Sequence, residues 1–270
     1  MVYKYDFLVI GAGVAGMSYA LKVARANKGR VCMICKTSLD EANTSFAQGG
    51  VASVTNLELD NFEKHIEDTM IAGDYISDPK AVEQVVKMAP EQIRELVNWG
   101  VNFDKTNEGK FDLHREGGHS EFRILHHKDD TGAEIQRGLM EAVRNNPNID
   151  IKEDHFAVEI ITQHHLGVRV TRRSPNIQCY GAYVLNPETQ KVDTYLAKMT
   201  VMCTGGVVPY MLRPQTPSSL LAMALQWFIE PKEQWPTWSL YSSTQQYSIT
   251  QKRLIQPTSS QRLCVAMAVS

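Results

Sequence analysis

The last 63 residues, 208–270, contain no glycine, aspartate, asparagine or histidine, although ordinary usage of about 7% glycine alone would supply about four glycines. All 17 glycines of the 270-residue chain precede Val207. Serine, threonine, glutamine and proline make up 28 of those 63 residues, and three of the four tryptophans fall among them. No apolar period of 2 or 3.6 runs through the stretch, and it lacks the turn chemistry that a folded segment needs. Charge of one sign is also lacking. A net charge of -2 gives no basic face for nucleic acid and no acidic tail. Long apolar runs are missing as well: "MVYKYDFLVIGAG" holds four apolar residues in a row before glycine, too few for a signal peptide or a membrane span. A cytoplasmic protein with no membrane partner is expected. Cysteine is scarce and odd in number (32, 35, 179, 203 and 264), with no spacing that repeats as paired metal ligands do. The pair in "CMIC", 32–35, lies in a short apolar run that should be a strand, where positions three apart face opposite sides. These thiols read as buried small hydrophobes, and a reduced compartment fits.

The first 207 residues are a different material. Residues 5–10 form a compact apolar strand, "GAGVAG" follows, and "MSYALKVARA" carries helical spacing; a second strand at 30–35 completes a βαβ unit ending at Lys36. Helical patterns are predicted at 61–73, 79–99 and 132–146. Strands are predicted at 149–153, 155–162, 178–185 and 198–203, separated by polar turns such as "NNPN" and "NPET". The fold class is therefore α/β, with a Rossmann-like domain over 1–207 and a poorly structured, non-native tail over 208–270.

Gly11, Gly13 and Gly16 make G-x-G-x-x-G between a strand and a helix, the context in which the pattern binds a dinucleotide. Gly11 allows the tight turn, Gly13 admits a diphosphate to the backbone, and Gly16 lets helix and strand pack closely while the helix N-terminus faces the anion. The second strand ends in Lys36 in place of the acidic residue that accepts from a ribose hydroxyl, which argues against an ordinary NAD site. A further polar run, "NTSFAQGGVASV", closes on Gly49-Gly50 and offers backbone donors to a ligand or merely forms a loop. "HREGGHSEFRILHHKDDTGAE", 114–134, crowds His119, His126, His127, Arg115, Glu116, Arg123 and Asp129 around a Gly-Gly. It is either a functional loop or a solvated charged one, and it carries no H-E-x-x-H or similar spacing, so no metal is expected.

"VIGAGVAGMSYAL", "NTSFAQGGVA", "HIEDTMIAGDYISD", "REGGHSEFRILHHKDDTGAEI" and "VMCTGGV" fall in an order that resembles the L-aspartate oxidases, flavoenzymes within the succinate dehydrogenase and fumarate reductase flavoprotein superfamily. The resemblance covers 5–207 and implies an FAD-binding domain. It implies FAD held at its diphosphate by Ala12, Gly13, Val14 and Ala15, by Lys36, near the isoalloxazine by Asn43, Thr44, Ser45, Phe46, Ala47, Gln48, Gly49 and Gly50, at the adenine end by backbone around Ala157, and by Thr204, Gly205 and Gly206. Where the dehydrogenase and reductase flavoproteins have a histidine bonded to FAD, this chain has Asn43, so a noncovalent flavin is implied. Where they have an aromatic residue ahead of the second Gly-Gly, it has Glu116, whose carboxylate suits the α-ammonium of L-aspartate, a group succinate lacks. The implied reaction passes hydride from the aspartate α-carbon to the flavin, giving iminosuccinate, with dioxygen or fumarate as acceptor and quinolinate synthase as a possible partner. A fumarate reductase or succinate dehydrogenase flavoprotein, or a non-catalytic nucleotide-binding remnant, are the alternatives.

The tail has a simple cause. If one base is lost after Val207, the original codons straddle the present ones: Met223 with Ala224 gives Gly, Trp227 with Phe228 gives Val, and Trp235 with Pro236 gives Ala. With synonymous choices elsewhere, Leu220–Trp227 can encode T-G-D-G-I-A-M and Trp238–Gln245 can encode E-F-V-Q-F-H-P, both expected of the resembled family. Residues 208–270 then read as out-of-frame translation, and the family's substrate-capping domain, base and carboxylate-binding residues have no counterpart here.

Overall fold

Aromatic and aliphatic residues around Lys4 and Asp6 favour a strand over "VYKYDFLVI", and its last three residues, Leu8, Val9 and Ile10, are no more than 2% exposed. The computed structural model of the protein describes residues 1–171, 174, 176–205 and 262–265. In chain order the elements begin with β1 (Val2–Ile10), α1 (Val14–Arg25), β2 (Val31–Ile34), a 3₁₀ turn at Asn43–Phe46 and β3 (Val51–Ala52). Next come α2 (Phe62–Ala72), α3 (Pro79–Asn98), β4 (Leu113–His114), β5 (Ile124–Leu125) and α4 (Thr131–Arg144). The remainder are β6 (Ile149–Lys152), β7 (Phe156–Thr162), β8 (Cys179–Asn186), β9 (Lys191–Met202) and β10 (Arg262–Val265). The described residues divide into two compact units, one of 1–43 with 143 onward and one of 44–142.

The first unit is built on a mixed sheet of order β6-β2-β1-β9-β8-β7. β6, β2, β1 and β9 run parallel, whereas β8 and β7 return antiparallel from β9. All four residues of β2 are buried, as the apolar run predicts, and Cys32 and Cys35 are both buried, with desolvation pushing each thiol up to about 12. The core gathers Leu8, Ile10, Ile34, Ala182, Val184 and Tyr195 from four strands. The strand predicted at 198–203 starts at Lys191 instead, because Asn186↔Lys191 pairing around "NPET" extends the hairpin with β8. β8 pairs only with the first half of β9, and Arg262–Val265 pairs with Met199–Met202, occupying backbone groups that β8 leaves over. The rest of the expected non-native tail, and the boundary at 207, lie outside the described residues.

The second unit joins α2, α3 and most of α4 to a short antiparallel sheet of order β3-β5-β4. The helices start where the sequence supplies caps: the Asn61 side chain accepts from Lys64 N–H at 2.8 Å, and Asp78 accepts from Lys80 N–H at 2.9 Å ahead of Pro79. Among the described residues, no helix is long and apolar enough to cross a membrane.

Candidate functional site

The turn after β1 is wedged between two strands. Gly11 N–H donates to Ile34 carbonyl oxygen at 2.8 Å, and Cys203 N–H donates to Ile10 carbonyl oxygen at 2.7 Å. Gly11 has φ +113°, and a Cβ there would lie 2.2 Å from the Cys203 carbonyl oxygen, so no side chain fits. Gly16 meets the Gly11 carbonyl in the same way. Gly13 differs: as N-cap of α1 it has φ -77°, which any residue adopts, so the turn itself does not demand its missing side chain. It leaves the mouth of α1 without a Cβ and without a side-chain cap, and the first turn of the helix carries no acidic residue to repel an anion. A diphosphate fits this end. Gly11, Gly13 and Gly16 thus have three distinct local geometries.

The other sequence-selected residues of the first unit lie on the ends and edges of its sheet. Lys36 follows β2, half-buried, and burial lowers its ammonium pKa. Asn43 sits beside Gly205, with its Nδ2 3.7 Å from where a Gly205 Cβ would be, and its Oδ1 is buried without a hydrogen-bond partner. That orphaned acceptor is what a donor group on a bound cofactor would satisfy. Ala157 is 1% exposed, with its side chain in the core, while its backbone stands next to a register shift between Ala157 and Glu159 on β7. Thr204 lies two residues beyond the end of β9, and Gly206 lies outside the described residues.

In the second unit, residues 44–50 form a compact loop rather than an open one. Gly132 N–H donates to the Ala47 carbonyl at 2.9 Å, and a Cβ on Gly132 would meet the Thr44 carbonyl at 2.1 Å. No sequence motif singles out Gly132, although a "TG" at a predicted helix start is a signal for it. Gly50 packs on β5, where a Cβ would collide with Ile124, and its N–H donates to Glu116 Oε1 at 3.3 Å. The structure therefore brings Glu116, exposed on the 115–123 loop, to the second glycine pair.

Beneath that loop is a network that the sequence did not announce. Arg123 is fully buried and forks onto Asp60 with two 2.7 Å bonds, while its Nη1 reaches Asp68 at 2.5 Å. Burial opposes the Arg123 charge, and the bonds to Asp60 and Asp68 outweigh it, so its pKa is raised. Burial also opposes the Asp68 carboxylate, but Ser120 and Arg123 hydrogen bonds hold it below the ordinary range. His65 lies against this charge, 5% exposed; burial first, then Arg123 and His119, bring its pKa down to about 4. The unfolded chain takes up this proton as pH falls through 6.5, whereas the folded one resists until about 4. The neutral His65 therefore contributes stability fully above pH 6.5, lost towards pH 4, by up to about 3 kcal/mol. A urea midpoint that falls across this window, and falls less in His65→Gln, is the expected result.

With this geometry in place, comparison with known proteins is decisive. The sequence profile of the FAD binding domain family matches residues 6–225, most of the chain. The chain belongs to the FAD binding domain family. Within it, the chain is similar to the chloroplastic L-aspartate oxidase of Arabidopsis thaliana, 43% identical over 218 residues, which are 81% of this chain and 32% of that protein. The L-aspartate oxidase of Yersinia pestis is 41% identical over 229 residues, 82% of this chain and 41% of the relative. Among solved structures, E. coli quinol fumarate reductase FrdA superposes with TM-score 0.68 at 26% identity, covering 77% of this chain and 33% of that one. The chain spans about a third of the plant relatives' length. FAD is the cofactor of this family's fold, and the turn at Gly11–Gly16 with the orphaned Asn43 acceptor fits it.

Proposed function

We propose that the chain is the cofactor-binding part of an L-aspartate oxidase that holds FAD without a covalent bond. The observation that carries the reading is the Glu116 carboxylate, held at 3.3 Å from the Gly50 N–H, because an exposed anion beside a cofactor loop suits an amino-acid substrate and not a plain dicarboxylate. When bound, FAD supplies the hydride acceptor. The diphosphate would rest on the backbone of Gly11 to Gly16 at the mouth of α1, with Lys36 as a cation and Asn43 to Gly50 towards the flavin ring. Backbone at Ala157 and at Thr204 to Gly206 would complete the set. Glu116 would bind the α-ammonium and orient the α-carbon of L-aspartate, leaving iminosuccinate as product; dioxygen or fumarate would take the electrons, and quinolinate synthase would take the product. A reducing interior, cytoplasm or plastid, agrees with the free thiols of Cys32, Cys35, Cys179 and Cys203.

In the same reading residues 208–270 are out of frame and supply none of the substrate-capping or carboxylate-binding residues, so negligible turnover is expected of these 270 residues. Sequencing the coding DNA across this region tests that part, and an intact frame would end it. The cofactor part is tested on the chain itself: flavin absorbance after incubation with FAD, lost to the supernatant on denaturation. For the substrate, peroxide formation in the frame-restored protein is expected from L-aspartate and not from succinate. A charge-assisted contact is worth about 1.5–3 kcal/mol, so Glu116→Gln should weaken kcat/KM for L-aspartate by roughly 10- to 100-fold and leave succinate unchanged. Equal loss on both substrates removes Glu116 from this role. A fumarate reductase flavoprotein is the second reading, favoured by the FrdA superposition and opposed by Asn43 at the covalent position.

A further inference from the structure

The pairing of β4 with β5 sets two imidazoles and a carboxylate on one face. Leu113↔Leu125 and His114↔Ile124 are the paired residues, so continuing the register by one places His126 opposite Asp112. Residues two apart on a strand share a face, which puts His114 on the same side as Asp112. The side chains converge accordingly. His126 Nε2 lies 3.8 Å from Asp112 Oδ2, His114 Nε2 lies 4.0 Å from the same oxygen, and one ligand atom from each residue falls within 4.8 Å of the others. Two ligands held about 2.0–2.1 Å from a tetrahedral ion sit roughly 3.3 Å apart; the His114 ring stacks on that of His126 with centroids 3.7 Å apart, so ligation requires the exposed His114 to turn its ring off this stack and the half-buried Asp112 to follow.

His126 supplies the independent sign of a ligand. It is 9% exposed, and its Nε2 is buried with no hydrogen-bond partner. Its other nitrogen, Nδ1, lies 3.3 Å from Asp104 Oδ2, an oxygen itself fixed at 2.8 Å by the Lys128 N–H. A carboxylate on one ring nitrogen and an ion on the other is the arrangement by which proteins orient a ligating histidine. We propose that Asp112, His114 and His126 bind a divalent transition-metal ion of the zinc class, with Asp104 positioning His126 and water completing the coordination. Two imidazole nitrogens select Zn²⁺, Ni²⁺ or Cu²⁺ over Mg²⁺ and Ca²⁺, which want oxygen. The spacing 112, 114, 126 matches no linear metal motif, which is why the sequence predicted none. Such an ion would tie together both feet of the 115–123 loop and so stiffen the segment that carries Glu116.

The test uses the whole 270-residue chain, stripped with a chelator and titrated with Zn²⁺ against a fluorescent competitor. One saturable equivalent is expected. His114→Ala, a change at a 60% exposed side chain, should weaken it at least tenfold while preserving the circular dichroism of the parent; Asp104→Asn should weaken it about 10-fold or more. The double variant His164→Ala with His165→Ala, altering the adjacent histidine pair elsewhere, should bind as the parent does. Hydrogen exchange over 115–122 should slow several-fold on Zn²⁺ addition. The absence of a saturable equivalent, or binding that survives His114→Ala and is lost in the 164/165 variant, overturns the assignment.

Discussion

Gly11→Ala should leave the purified chain colourless after incubation with FAD and lower its unfolding midpoint sharply. The new Cβ would overlap the Cys203 carbonyl oxygen at 2.2 Å and its carbon at 2.6 Å, both backbone atoms of the strand end that closes the turn. Relief requires moving β9 away from β1, which breaks the parallel ladder from Val2↔Thr194 to Ile10↔Met202. Overpacking against rigid neighbours costs about 1–3 kcal/mol, and the positive φ adds roughly 1–2 kcal/mol. The control separates the two costs. Gly100 also has positive φ, +93°, but nothing lies within 4 Å of its missing Cβ, so Gly100→Ala should lose only about 1–2 kcal/mol and keep the yellow colour. If Gly11→Ala behaves like Gly100→Ala, the wedge between β2 and β9 is not what shapes the turn.

Arg123→Met is expected to cost about 3–5 kcal/mol, because it strands two carboxylates, one of them nearly fully buried, without a counter-charge. Adding Asp60→Asn and Asp68→Asn should recover part of that loss, since the neutral amides no longer require a cation. Arg123→Lys should fall between, as an ammonium cannot make the two parallel bonds that the guanidinium makes to Asp60. Urea unfolding of the four chains measures the set. Equal stability of parent and Arg123→Met would mean that the network is screened by solvent and holds nothing. The consequence reaches Glu116, which stands on the loop that Arg123 and Ser120 anchor to Asp68.

Most of what sequence disclosed was local. Gly11, Gly13 and Gly16 are near neighbours in the chain, so their turn could be read directly. The helices predicted at 61–73, 79–99 and 132–146 are found within two residues of those bounds, because Asn61 and Asp78 cap their own helices. What stayed hidden depends on partners far along the chain. Asp60 and Asp68 acquire meaning only against Arg123, Gly132 only against Thr44 and Ala47, and Asp112 only once a two-residue strand pairs with another. β3, β4 and β5 are too short for any period to register. The start of β9 at Lys191 likewise came from hairpin pairing rather than from its own apolar run.

The Cys203 backbone that closes on Gly11 is made about 190 residues after it. On a ribosome adding about 5–20 residues per second, the nascent first strand waits about ten to forty seconds for the segment that seats it. During that interval β1 and β2 present an open parallel edge, and closure of so long a loop is intrinsically slow. Dinucleotide capture is thus a late event in biogenesis, although its signature is among the first residues synthesised.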